Sequence, residues 1–291
     1  KKVILEEIAM SEDSLERKVY DLIHEAVYTD HPLQWPVLGT TDSIGRLSRD
    51  QLFNYFQDRY HPANMVLMVT GAIDPKNVIS MAQRICGGWQ KKSPRPERMT
   101  PRAPKRGVRK MVSDRFQRQA IGLIYPAPSA LHDDRDSGDV LASILGGQNS
   151  RFFWNIIQAG VAPHVAAGRL DYCDDGMMLA FGFSEPDQAD ELVAAMRTEM
   201  EKVMREGVTD DEVQRVKNRS RTALATEGEA PYYRLMQMIQ DIDDFGRPRT
   251  VAERLAAIDA VTPKTVREYL ERWPITGDCA LVSLGPRDWP T

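Results

Sequence analysis

Apolar residues recur at helical spacing along most of this chain, interrupted by a few short, denser apolar runs. An opening helix carries Val3, Ile4, Leu5 and Ile8, and Val19, Leu22, Ile23 and Ala26 form a stripe over residues 15–28. A loop follows at His31-Pro32-Leu33-Gln34-Trp35-Pro36, and Ser48 is placed to cap a helix carrying Leu52, Tyr55 and Phe56. Residues 65–70 form an apolar, partly β-branched run closed by Gly71, which predicts a buried strand. Asp74-Pro75 opens a helix through residues 78–85, stopped by Gly87-Gly88.

The rhythm breaks at residues 91–110. Pro94, Pro96, Pro101, Pro104 and Gly107 stand there among basic residues with few apolar ones, which predicts a solvated connector. Beyond it the pattern restarts. Strands are expected over 119–125, 164–170, 177–183 and 279–284, the middle two joined by the turn Asp174-Asp175-Gly176. Helices are expected over 139–145, 151–159, 188–206, from 211 onward, and over 232–241, 251–258 and 263–273. In both segments a capped helix (Ser48, Thr262) runs through a short loop into a strand ending on glycine (Gly71, Gly285), the mark of a duplicated unit with its first copy incomplete. Few units read as strand–helix–strand crossovers. The expected fold class is therefore α+β: two homologous α/β sandwich halves, each a mostly antiparallel sheet with helices on one face. The domains expected are residues 1–90, the latter half of a first domain, a linker over 91–110, and a second domain over 111–291.

Composition changes this picture little. Hydrophobic residues make up 42% and charged residues 27%, which suits packed cores, and the net charge of −4 argues for neither nucleic acid nor an anionic membrane as partner. Cys86, Cys173 and Cys279 are too scattered for a disulfide framework or a cysteine metal site. No apolar run is long enough to span a bilayer. The first residue is Lys1 and the chain opens directly in a helical pattern, so it is expected to be a portion of a longer protein.

Several pieces in order resemble the pitrilysin/insulinase family of zinc metallopeptidases: Val3-Ile4-Leu5-Glu6-Glu7, His31-Pro32-Leu33, Leu38-Gly39-Thr40, Tyr60-His61-Pro62-Ala63-Asn64-Met65 and Gly71. Leu145-Gly146-Gly147, Ser150-Arg151-Phe152-Phe153 and residues 207–212 resemble that family's second half. The resemblance implies a zinc-dependent endopeptidase of the processing-peptidase kind that cleaves peptides in a chamber between two halves. Its zinc is held by two histidines of a His-x-x-Glu-His helix and by a later glutamate. That glutamate aligns with Glu7; Glu6 points about 100° away on the same helix.

The five histidines, His24, His31, His61, His132 and His164, contain no such motif. The rest of the zinc site is expected from a missing N-terminal segment or a partner chain. Family members also hold substrate with an Arg and a Tyr, whose positions here read Ile157 and Pro163. That departure raises the alternative of a non-catalytic relative, a peptide-holding or assembly partner. The resemblance leaves open a homodimer, and leaves the compartment open between bacterial cytoplasm and periplasm. Without it, His24, His31 and His61 read as structural, Tyr232 and Tyr233 as packing at a helix start, and Met196, Met200, Met204, Met236 and Met238 as core or chamber wall. Phe152-Phe153-Trp154 reads as core, dense enough to line an apolar chamber.

Overall fold

The computed structural model describes residues 1–90 and 107–290. The chain begins with helices α1 (Lys2–Glu12), α2 (Leu15–Val27), α3 (Thr41–Arg46), α4 (Arg49–Arg59) and α5 (Pro75–Cys86). Then follow β1 (Gly107–Val112), β2 (Gln119–Pro126), α6 (Arg135–Gly146), a π-helical turn at Phe153–Ile157, β3 (His164–Asp171) and β4 (Gly176–Ser184). Five further helices, α7 (Ala189–Glu206), α8 (Asp210–Glu229), α9 (Pro231–Phe245), α10 (Val251–Ala260) and α11 (Pro263–Arg272), lead to β5 (Ala280–Gly285). The fold is α+β, built on one five-stranded sheet of order β1-β5-β2-β4-β3. Only β1 and β5 run parallel.

Strand β2 shows why a continuous apolar run was needed. Its side chains alternate between two cores, as a period of two requires. Ile121, Leu123 and Tyr125 enter the larger core with α6, α7, α8 and α11. Ala120 and Ile124 face the opposite way, against Val19, Leu22, Ile23 and Val27 of α2. Strands β4 and β5 divide in the same way, with Met178, Ala180 and Leu281 on the first side and Met177, Leu179, Val282 and Leu284 on the second. A sheet covered on both faces loses the polar alternation of a half-exposed one. Each fully buried aliphatic side chain of α2 adds about 1.5–3 kcal/mol of apolar transfer free energy, so α2 is an integral layer of this sheet. On the other face α6 approaches so closely that a Cβ on Gly146 would meet the backbone nitrogen of Ala167 at 1.7 Å.

Two expectations need correction. Residues 65–70 form no strand, and Met65, Val66, Leu67 and Val69 are exposed. A strand exists only as part of a ladder, because its N–H and C=O groups need a neighbour, and among the described residues none lies beside it. The second correction concerns the connector over 91–110. Its residues up to 106 lie outside the described residues, but 107–110 begin β1, which pairs with β5 from Gly107↔Ala280 onward. β1 is an edge strand with all six residues exposed and with Arg109 and Lys110 in its middle. Charged edges protect sheets from further pairing, and that composition resembles a linker.

Candidate functional site

Glu7 sits midway along α1, exposed to solvent. Its neighbour Glu6 turns toward Lys2, one helical turn away, at 3.9 Å. Glu7 lines a cleft of about 900 Å³ between α1, α2 and the loop that follows, with Asp21, Trp35, Val37 and Leu38 among the other walls. The loop is shaped locally: His31 Nδ1 accepts a hydrogen bond from the Leu33 amide at 3.2 Å, and Thr40 and Ser43 form a capping box at the start of α3. Both devices satisfy N–H groups that a short helical turn leaves open.

The described residues do not complete a zinc site around Glu7. They hold one group of three metal-capable side chains within mutual reach, Cys173, Asp243 and Asp244, and Glu7 is not in it. Within that group Asp244 is already engaged, accepting from Arg135 Nη1 at 3.1 Å and from Gln240 at 3.0 Å.

The histidines have other work. His24 is buried in α2, where Nδ1 donates to the Tyr20 carbonyl at 2.9 Å and Nε2 therefore accepts from the Tyr172 hydroxyl at 2.6 Å. Burial, then neighbouring Tyr20, raises the pKa of Tyr172 well above a normal phenol, which keeps that hydroxyl a donor. His61 is buried at a helical turn, His132 Nδ1 accepts from the Asp134 amide at 3.1 Å, and His164 lies against Phe181 and Phe183. The structural reading of His24 and His31 agrees with these contacts, whereas the buried Nδ1 of His61 has no hydrogen-bond partner among the described residues.

At the two positions that departed from the family pattern, Ile157 packs against the larger core and Pro163 is exposed. Met196 and Met200 are core, as expected, whereas Met236 is exposed. Pro231 opens α9 as its first residue, but Tyr232 and Tyr233 stay exposed instead of packing, leaning on each other edge to face. Of the cluster Phe152-Phe153-Trp154, Phe152 is core and Trp154 faces solvent.

Sequence reading missed the charged framework that fastens the outer helices. Arg169 on β3 is almost wholly buried and binds Asp139 and Asp171 at 2.8 Å each. Asp241 on α9 takes the Arg249 amide at 2.7 Å, the Arg249 guanidinium at 2.8 Å and Arg254 at 2.6 Å. Burial alone would raise the pKa of Asp241, but these donors outweigh it and hold the carboxylate below its usual range. The sequence signal was faint, since an Asp on a helix and two Arg beyond the next Gly-Pro break look like surface charge.

Residues 46–220 match the family described as the peptidase M16 inactive domain. An uncharacterized zinc protease of Streptomyces coelicolor is 29% identical over 278 residues, a match covering 91% of this chain and 59% of that protein. The uncharacterized zinc protease YmxG of Bacillus subtilis is 26% identical, covering 98% of this chain and 69% of YmxG. The chain thus spans about three fifths of the length of the first of these relatives. A protease from Helicobacter pylori superposes with a TM-score of 0.86 at 17% identity, over 97% of this chain and 70% of that one. A peptidase M16 inactive domain from Pseudomonas fluorescens does so with 0.84 at 15% identity, over 98% and 69%. At such identities the superpositions speak for the fold alone, but the family match spans more than half the chain: this chain belongs to the family of the peptidase M16 inactive domain.

Proposed function

We propose that this chain is a portion of a zinc-dependent metallopeptidase that hydrolyses peptides in a chamber between two homologous halves, and that Glu7 is one of its zinc ligands. The supporting observation is the state of residues 41–90. Among the described residues their apolar side chains have no sheet to pack on, and the run at 65–70 has no strand beside it. An upstream segment or a partner chain with a sheet edge would cover both and bring the His-x-x-Glu-His helix toward Glu7. On this reading residues 1–90 belong to a first domain whose helix α2 docks on the sheet of the second, residues 91–106 connect, and the second domain begins at β1. The zinc, when bound, would supply an activated water. The residues present here cannot hold it alone, and no catalytic step is assigned to them.

Metal analysis tests the reading. This chain by itself should carry far less than one zinc per molecule. The longer protein should carry one, and Glu7→Gln there should release it and abolish peptide hydrolysis. A tight full equivalent on this chain alone, or an unchanged equivalent in the Glu7→Gln protein, overturns the proposal. The substitution of Arg and Tyr by Ile157 and Pro163 favours a second reading, a non-catalytic peptide-holding partner. In that case the longer protein would bind peptides without cleaving them.

A further inference from the structure

A groove of about 620 Å³ lies on the helical side of the sheet, away from Glu7. Two sequence-distant stretches form it: one running from the end of α6 through Gln148-Asn149-Ser150 into the π-helical turn, the other the first turns of α8. Its volume is that of an ordinary ligand site.

Its polar groups fall into two sets. Arg151 is spent, binding Glu212 through two hydrogen bonds of 2.7 and 2.9 Å, and Arg219 donates to the Gln148 carbonyl at 2.9 Å. The side chains of Arg215, Asn149 and Asn155 make no hydrogen bond or ion pair among the described residues, and all three are exposed on the groove. Trp154 stands beside them with 57% of its surface exposed, its ring held edge-on by Phe153 at 5.0 Å. Three arginines face one glutamate across the groove, so the excess charge is positive.

We propose that this groove is a peptide subsite that takes an acidic side chain of an extended peptide. Arg215 receives the Asp or Glu carboxylate, Trp154 covers the neighbouring apolar side chain, and the amides of Asn149 and Asn155 meet peptide N–H and C=O groups. Each part follows from the chemistry available. A guanidinium prefers a planar carboxylate, an indole gives apolar area at low entropic cost, and a carboxamide offers both donors and an acceptor. The inference deepens the reading of the chain as part of a peptide-handling protein, and its test needs no catalysis.

The probe is a fluorescein-labelled, N-acetylated, C-amidated eight-residue peptide with a central Leu-Glu pair, titrated into this chain and followed by anisotropy. The Leu-Glu peptide should bind about ten-fold more tightly than its Leu-Gln counterpart, as a hydrogen bond to a charged group allows. Arg215→Ala should erase that preference, and Trp154→Ala should weaken both peptides about equally. Added salt should narrow the gap. Both side chains are exposed and Arg215 has no partner, so a loss of binding would not reflect unfolding, which circular dichroism would verify. Equal binding of the two peptides, or a preference surviving Arg215→Ala, overturns the proposal. So does a third peptide, with a free C-terminal carboxylate and no acidic side chain, if it binds as well as the Leu-Glu peptide. Should the Leu-Glu preference hold while the longer protein cleaves nothing, the subsite stands and the peptidase reading falls.

Discussion

Helices α5 and α11 are similar amphipathic objects with opposite fates. Each begins with an N-capping side chain and a proline, each carries apolar residues three and four apart, and each precedes or follows a strand-like run. In α11, Val266, Tyr269 and Leu270 are buried in the larger core beside α6; in α5 no residue is buried, and Ile79, Met81 and Ile85 face solvent. The difference extends to their surroundings. In residues 41–90 only His61 is buried, whereas residues 107–290 enclose the larger core. Amphipathic pattern therefore fixes which face of a helix will be covered, while the covering itself depends on a sheet elsewhere in the sequence or on another chain.

Matched deletions of apolar volume give the largest test of that difference. Leu141→Ala, at a fully buried site on α6, should cost about 2–5 kcal/mol through lost transfer energy and a residual cavity. Ile79→Ala on α5, where the side chain is 56% exposed, should change stability by about 0.5 kcal/mol or less in this chain. Urea unfolding of both variants measures the contrast, and equal losses would break it. In the longer protein of the proposed function the Ile79 cost should rise toward the Leu141 value, because a sheet would then cover α5.

What the sequence conveyed follows from the same contrast. Ser48, Asp74 and Thr262 cap helices where the sequence placed them, and caps are local chemistry that a few adjacent residues carry. Strands β2, β4 and β5 were legible because their apolar runs are bounded by turns and end up covered on both faces, and β3 because it pairs with β4 across the turn at Asp174-Asp175-Gly176. Residues 65–70 carry the same signal but lack the ladder, and β1 has the ladder but a charged, exposed composition. Glu7 stood out only through the ordered pieces around it, since an exposed carboxylate on a helix has no signature of its own. The groove at Trp154 was not legible at all. It joins residues 148–155 to residues 212–219, and only folding makes them neighbours.

Helix α2 sharpens the comparison, since it stands in sequence with the uncovered region and in space with the covered one. Beyond its apolar face, it is tied to the segment between β3 and β4 by the bond from Tyr172 to His24. Tyr172→Phe would leave His24 Nε2 buried without a donor, a loss of about 1–3 kcal/mol. Chemical denaturation at pH 7 would measure it. A neutral result would mean that apolar contact alone docks α2 on the sheet.

The smallest effect concerns α10, which has no buried residue and depends on polar links. Glu253 binds Arg247 at 2.8 Å and accepts from the Thr250 amide at 2.7 Å, and its pKa is held down to about 2 by the guanidinium first and the cap second. A carboxyl whose folded pKa is depressed contributes stability that is complete above its unfolded pKa, near 4.5, and disappears as pH falls toward 2. Glu253→Gln can still accept at the cap but cannot titrate. Its thermal unfolding temperature should therefore lie slightly below that of the wild type at pH 7 and converge on it as pH drops from about 4.5 to 2. Parallel curves through that window would mean that the ion pair holds α10 no better than a neutral cap does. The outer helices would then rest on the buried Asp241 carboxylate, which Arg249 and Arg254 enclose from the α10 side.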